Sequence, residues 1–164
     1  MARRAPAVPS PTPALHLSSR RRGPWSLLRL KPLAQAALPH CLAHPGPGEC
    51  VLPGLAEVEI TLVSDRLIAQ LHLDFSGVPG ATDVITFQHG ELAISADTAR
   101  REATERGEPV EREILRYIVH GLLHLNGHLD GTARDRKKMW AIQEAAVYAV
   151  WPSGDAKKIS LSRN

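Results

Sequence analysis

His120-Gly-Leu-Leu-His124-Leu-Asn-Gly-His128-Leu-Asp130 is the stretch from which the rest of the chain can be read. Ile114, Leu115, Ile118, Val119, Leu122, Leu123 and Leu125 run up to and through it, dense enough to predict a largely buried helix. Each helical residue advances about 100°, so His120 and His124 share one face, about 40° apart. Gly127 suits a left-handed stop, and the chain is expected to turn back there. A buried helix, two aligned imidazoles and a carboxylate beyond a turn form a candidate metal site. Two histidines satisfied by backbone and water near a helix end fit the same spacing.

Gly121 stands where the zinc-protease pattern His-Glu-x-x-His carries its general base, so peptide hydrolysis by that route is not expected. Glycine inside a helix costs about 1 kcal/mol relative to alanine, which implies a close approach at this position. His128 and Asp130 compete as the third ligand. On a continuous helix His120 and His128 would be about 12 Å apart along the axis, too far for one ion with metal–nitrogen bonds near 2.1 Å. The third ligand therefore comes from chain that has turned back, and either residue can point inward from there.

The stretch resembles the signature HGxLHLxGxDH of the YbeY family, metal-dependent endoribonucleases of ribosomal RNA maturation. Ala81-Thr-Asp-Val-Ile-Thr-Phe87 is similar to that family's PT(D/N)VLSF, and Gly90-Glu-Leu-Ala-Ile-Ser95 to its GD-I-IS strand, in the same order. The likeness runs from about residue 57 to 150. It implies a divalent metal ion, of zinc type, held by His120, His124 and Asp130, with His128 in the place of an aromatic packing residue. The family's motif ends in Asp then His, where this chain has Leu129 and Asp130. Single-stranded ribosomal RNA is the implied substrate, in rRNA maturation and ribosome quality control, and the ribosome or a ribosomal protein the implied partner. A reading from another class is a non-catalytic, metal-stabilised assembly factor that binds a ribosomal protein or a maturation GTPase. The family also has Arg in the loop after its second helix and Lys before PT(D/N)V, where this chain has Ser76 and Gly80. Arg112 and Arg116, eight and four positions before His120, are the expected replacements on RNA phosphate, against a plainer pairing with Glu113 or Glu108. No general base can be named.

Composition bounds these readings. A chain of 164 residues, 43% hydrophobic, is expected to form one domain with its own core. Only 4% of residues are aromatic, which argues against a base-stacking platform and for contacts to phosphate and sugar. Seven of the 20 basic residues fall in residues 1–48, which contain no acid; the remainder carries a net −4, so RNA affinity should be modest and salt-sensitive. Cys41 and Cys50 make no disulfide framework, and a reducing compartment, the cytoplasm, is the default.

Residues 1–24, rich in Pro and Arg, read as a disordered basic extension. An organelle transit peptide or an overcalled start are the alternatives. No apolar run is long enough for a membrane. Residues 25–152 are expected to be the single domain. Within it, Trp25 to Leu42 should form a helix broken by Pro32 and Pro39, and His44-Pro-Gly-Pro-Gly48 a linker. Glu57 to Val63 alternates as a strand with Val58, Ile60 and Leu62 inward. Ser64 caps a helix burying Leu67, Ile68, Leu71 and Phe75. Strands follow at Asp83 to Gln88 and Leu92 to Ser95, then a polar helix to Gly107, the metal helix from Pro109, and a last helix over Thr132 to Trp151 with Met139, Trp140, Ile142, Val147 and Val150 as core. His72 is expected to be structural, and His89 is a weak candidate for the site. Residues 153–164 read as a loose tail. The order fits an α+β fold: a small mixed sheet covered by helices, with the metal site on a buried helix and the turn after it.

Overall fold

The structure, a computed structural model, describes residues 11–153. Its first element, strand β1 (Ala14–Ser19), lies inside the segment expected to be disordered. Composition averaged over a Pro- and Arg-rich window hides six residues in which Leu15 and Leu17 alternate with polar ones. That stretch runs parallel to β2 (Glu57–Val63), from Ala14 opposite Glu57 to Ser19 opposite Leu62. Residues 1–10 and 154–164, where the rest of the extension and most of the tail were expected, lie outside the described residues.

Helix α1 (Leu27–Leu42) is continuous through Pro32 and Pro39, contrary to the expected break. Both prolines are exposed and seven residues apart, so they share the solvent face. The carbonyls that lose their N–H partners there, those of Leu28 and Gln35, can turn to water. The opposite face buries Leu30, Ala34, Ala37, Leu38 and Cys41, and each fully buried leucine contributes roughly 1.5–3 kcal/mol. That outweighs the prolines.

Strand β2 keeps Val58, Ile60 and Leu62 fully buried, as its alternation predicts. Helix α2 (Asp65–Ser76) starts at Ser64, whose hydroxyl accepts the Leu67 N–H. A hairpin of β3 (Val84–Phe87) and β4 (Glu91–Ser95) follows. The sheet order is β1-β2-β4-β3, with β3 antiparallel and the other pairs parallel. Helices α3 (Ala96–Arg106), α4 (Val110–Leu125) and α5 (Ala133–Val150) complete the chain. The fold is α+β, as expected.

One face of the sheet carries the main core, where α4 lies between the strands and helices α1, α3 and α5. Gly121 is the close approach that its cost implies: a Cβ there would come within 2.6 Å of the Leu92 side chain on β4. Helix α2 lies on the other face, where Ile68 packs with Val63 and Ala93. Phe75, expected in that stripe, is 67% exposed and packs edge-on against Phe87. Among the described residues no helix is long and apolar enough to cross a membrane.

Candidate metal centre

Helix α4 delivers His120 and His124 to one face, and Gly127 ends it. The Gly127 φ of 88° is left-handed, and the backbone reverses there as the sequence predicts. The residues expected to form a linker instead clamp this reversal. Gly46 N–H donates to the Asn126 carbonyl, Gly48 N–H to the Gly127 carbonyl, and the Asn126 amide to the Cys41 carbonyl, each at 2.8 Å. A flexible linker would leave those buried groups unpaired, and pairing them turns residues 44–51 into a strap.

The strap separates the two rivals for third position. His128 is 3% exposed, and its Nε2–H donates to the His44 carbonyl at 2.6 Å, so the ring points into the strap and away from the other imidazoles. Asp130, two residues on, points back. Its Oδ2 lies 3.3 Å from His124 Nε2 and 3.9 Å from His120 Nε2. The two Nε2 atoms are 3.0 Å apart. A tetrahedral zinc ion with bonds near 2.0–2.1 Å spaces its donors roughly 3.3–3.4 Å apart, a value bracketed by these separations. His120, His124 and Asp130 can therefore surround one ion.

The ring tautomers agree. His124 Nδ1–H donates to the His128 carbonyl and His120 Nδ1–H to Gln143 Oε1, both at 2.9 Å. The Gln143 amide is oriented by its Nε2, which donates to Glu144. With both Nδ1 atoms protonated, the neutral rings direct lone pairs at each other from Nε2, which is repulsive unless a cation lies between them. Burial, and then the neighbouring His124, hold the His120 pKa below the usual imidazole range, keeping it in the neutral, ligating form. All three side chains remain between 22% and 50% exposed, so solvent reaches the group. A cleft of about 500 Å³, edged by Thr82, Asp83, Arg106, Trp140 and Gln143, opens beside His120. A second of about 290 Å³, edged by His72, Thr82 and Thr86, opens beside His124.

Other expected site residues are elsewhere. Arg116 is 3% exposed and lies among three carboxylates. It donates to Glu144 at 2.6 and 3.2 Å, to Glu108 at 3.0 Å, and to Glu113. Arg112 leans toward Glu108 with its Nε buried. Arg116 is thus spent on carboxylates at the inner wall of the cleft beside His120, and Arg112 is half-buried, because α3 and α5 close in on the helix face where spacing placed them. His89 pairs with exposed Glu91 beside Phe87, away from the centre. The His72 ring bonds the Gly80 carbonyl, as a structural histidine would. Gln143 was missed. Its one signal is a polar residue in the apolar half of α5. Trp140, expected in the core, is 46% exposed.

A mixed-sheet α+β scaffold that buries a two-histidine helix and returns a carboxylate to it defines the class of protein. The profile of the family described as "Endoribonuclease YbeY" matches residues 26–150, and the chain belongs to that family. A Myxococcus xanthus relative described by the same words is 41% identical over 101 residues, 54% of this chain and 34% of the relative. A Deinococcus radiodurans relative so described is 35% identical over 126 residues, 70% of this chain and 76% of the relative. The chain thus spans about a third of the first relative's length. A solution structure from Thermotoga maritima shares the fold, with a TM-score of 0.58, 23% identity, and coverage of 89% of this chain and 95% of that one.

Proposed function

We propose that the protein is a metal-dependent endoribonuclease that cuts single-stranded RNA in ribosomal RNA maturation and ribosome quality control, in the cytoplasm, with the ribosome as its wider partner. The observation that carries this reading is the donor set. Two imidazoles with protonated Nδ1 atoms and one carboxylate converge on a point open to two clefts, in a chain whose family is described as endoribonuclease. His120, His124 and Asp130 would hold one divalent ion of zinc type. When bound, such an ion lowers the pKa of water and polarises a phosphoryl oxygen.

The chain's own groups prepare that chemistry. Gln143 and the His128 carbonyl fix the rings so that Nε2 remains the donor atom. Asp130 brings negative charge to the donor set, which would make a water on the ion a weaker acid than three neutral donors would. The centre is recessed between β3 and α5, which suits a strand whose backbone can be drawn into a cleft.

The test is cleavage of an unstructured RNA by the purified full chain, with and without added metal, beside the His124→Ala protein as a contamination control. Metal-dependent cleavage by the wild type alone is the expected result. Equal cleavage by both proteins, or none by a wild type that retains metal, overturns the enzymatic reading. The second outcome favours the non-catalytic assembly factor.

A further inference from the structure

Helix α5 begins three residues after Asp130 and reaches His120 through Gln143, so it crosses the whole centre. At about 100° per residue, Arg136 and Trp140 fall within about 60° of the direction of Gln143, and Lys137 about 120° from it. Arg136 Nη1 donates to the Asp130 carbonyl at 3.2 Å, which places its guanidinium beside the turn. Lys137 is exposed, and among the described residues it has no ion pair. Trp140 borders the same cleft as His120 and Gln143, with 46% of its surface open to solvent. The Arg106 and Arg116 guanidinium carbons lie 5.3 and 5.9 Å from its ring centre. Trp151, by contrast, is 7% exposed, and Trp25 packs against the core. Trp140 is thus the indole that the core uses least; it stands beside the centre, backed by Arg106 and Arg116, whose charges are paired with glutamates, while Arg136 and Lys137 on its own helix are exposed.

We propose that this face of α5 is the RNA-holding ridge: Trp140 stacks on a nucleobase, and Arg136 and Lys137 take phosphates of neighbouring nucleotides. The inference rests on the endoribonuclease reading and names the parts of its substrate that the helix holds. The 4% aromatic content argues against a platform of several stacked bases, but a single stack beside the exposed cations Arg136 and Lys137 is the smallest form of a sequence-tolerant single-strand site.

The test is binding of a fluorescent ten-nucleotide oligoadenylate to the full chain with its metal, at low temperature and short times, across a salt series, with strand integrity checked by gel. Trp140→Ala is expected to weaken binding about 5- to 150-fold with an unchanged salt slope, and Trp140→Phe to recover most of the loss. Lys137→Ala should reduce the slope by about 0.7. Oligoadenylate should quench the tryptophan emission of the wild type, and an abasic strand of equal length should not. The proposal is overturned if Trp140→Ala binds within twofold of wild type, if Phe gives no rescue, if the abasic strand quenches equally, or if polyglutamate competes as well as RNA. Absent binding by the wild type also overturns it. Should Trp140→Ala fail to fold, the Phe variant and the comparison of quenching still decide. Normal ridge behaviour without metal-dependent cleavage defeats the enzymatic reading alone; cleavage with unchanged binding by the variants defeats the ridge alone.

Discussion

The Nε2 atoms of His120 and His124 face each other at 3.0 Å while both Nδ1 atoms are committed to acceptors. An ion held by these rings and Asp130 would tie the buried helix α4 to the turn that follows it. Stripping the metal from the native protein should therefore lower the melting temperature by several degrees, the effect of about 1–2 kcal/mol in a domain this size. Metal analysis paired with a thermal melt checks this, and an unchanged melt after verified removal counts against it.

Asp130→Ala should purify without metal and lose activity, since it removes the carboxylate that, among the described residues, groups with both rings. His128→Phe should retain metal, because the group that orients His124 is the backbone carbonyl of residue 128, which survives the substitution. It should still lose about 0.5–1.5 kcal/mol, the net worth of the part-buried hydrogen bond to the His44 carbonyl. Metal content of the two proteins side by side is the measurement; the reverse pattern would show that the turn is read wrongly.

Gln143→Leu deprives His120 Nδ1–H of its acceptor while keeping a similar volume. The expected cost is about 10- to 100-fold in metal affinity, read by competition against a chromophoric chelator. Affinity equal to wild type would mean that the Gln143 contact does not orient the ring.

Arg116→Ala should act on stability. It leaves the carboxylate of Glu113, 1% exposed, with the Tyr117 hydroxyl and the longer contact to Arg106 at 3.6 Å, and breaking such a buried pair costs about 3–5 kcal/mol. A large drop in denaturant midpoint with an unchanged salt slope for RNA binding is expected. Near-wild-type stability with a flatter slope would restore Arg116 as an RNA cation.

Gly127→Ala should destabilise through backbone and packing together. A left-handed φ costs a side-chain-bearing residue about 1–2 kcal/mol. The added Cβ would also lie 2.8 Å from Cys50 Sγ and from the Gly48 carbonyl of the strap. Metal affinity should fall with stability, because the same strap aims Asp130; a loss of stability with full metal affinity would uncouple the two.

Much of this was legible in the chain. The burial of α4, the reversal at Gly127, the inward Val58, Ile60 and Leu62, and the close approach at Gly121 follow from periodicity and from backbone preferences that act within a few residues. Three readings failed for a shared reason. The composition of residues 1–24 says nothing of the β2 edge waiting for Leu15 and Leu17. The prolines of α1 report a local cost without the buried face that outweighs it. The glycines at 46 and 48 look like a linker until the reversal they clamp, about 80 residues later, is in place.

The sequence by itself determined the buried two-histidine helix and its stop, because helical periodicity and a glycine's left-handed turn are properties of neighbouring residues. Geometry along the chain left Asp130 and His128 as rivals and the family resemblance implied Asp130; only the tertiary structure shows how each side chain is turned, that Arg116 is spent on Glu113, Glu108 and Glu144, and that Trp140 remains half open. Each of these depends on which way a side chain points once distant segments have packed around it. Local propensity carries no such direction, since the partners that set it lie up to 84 residues away along the chain.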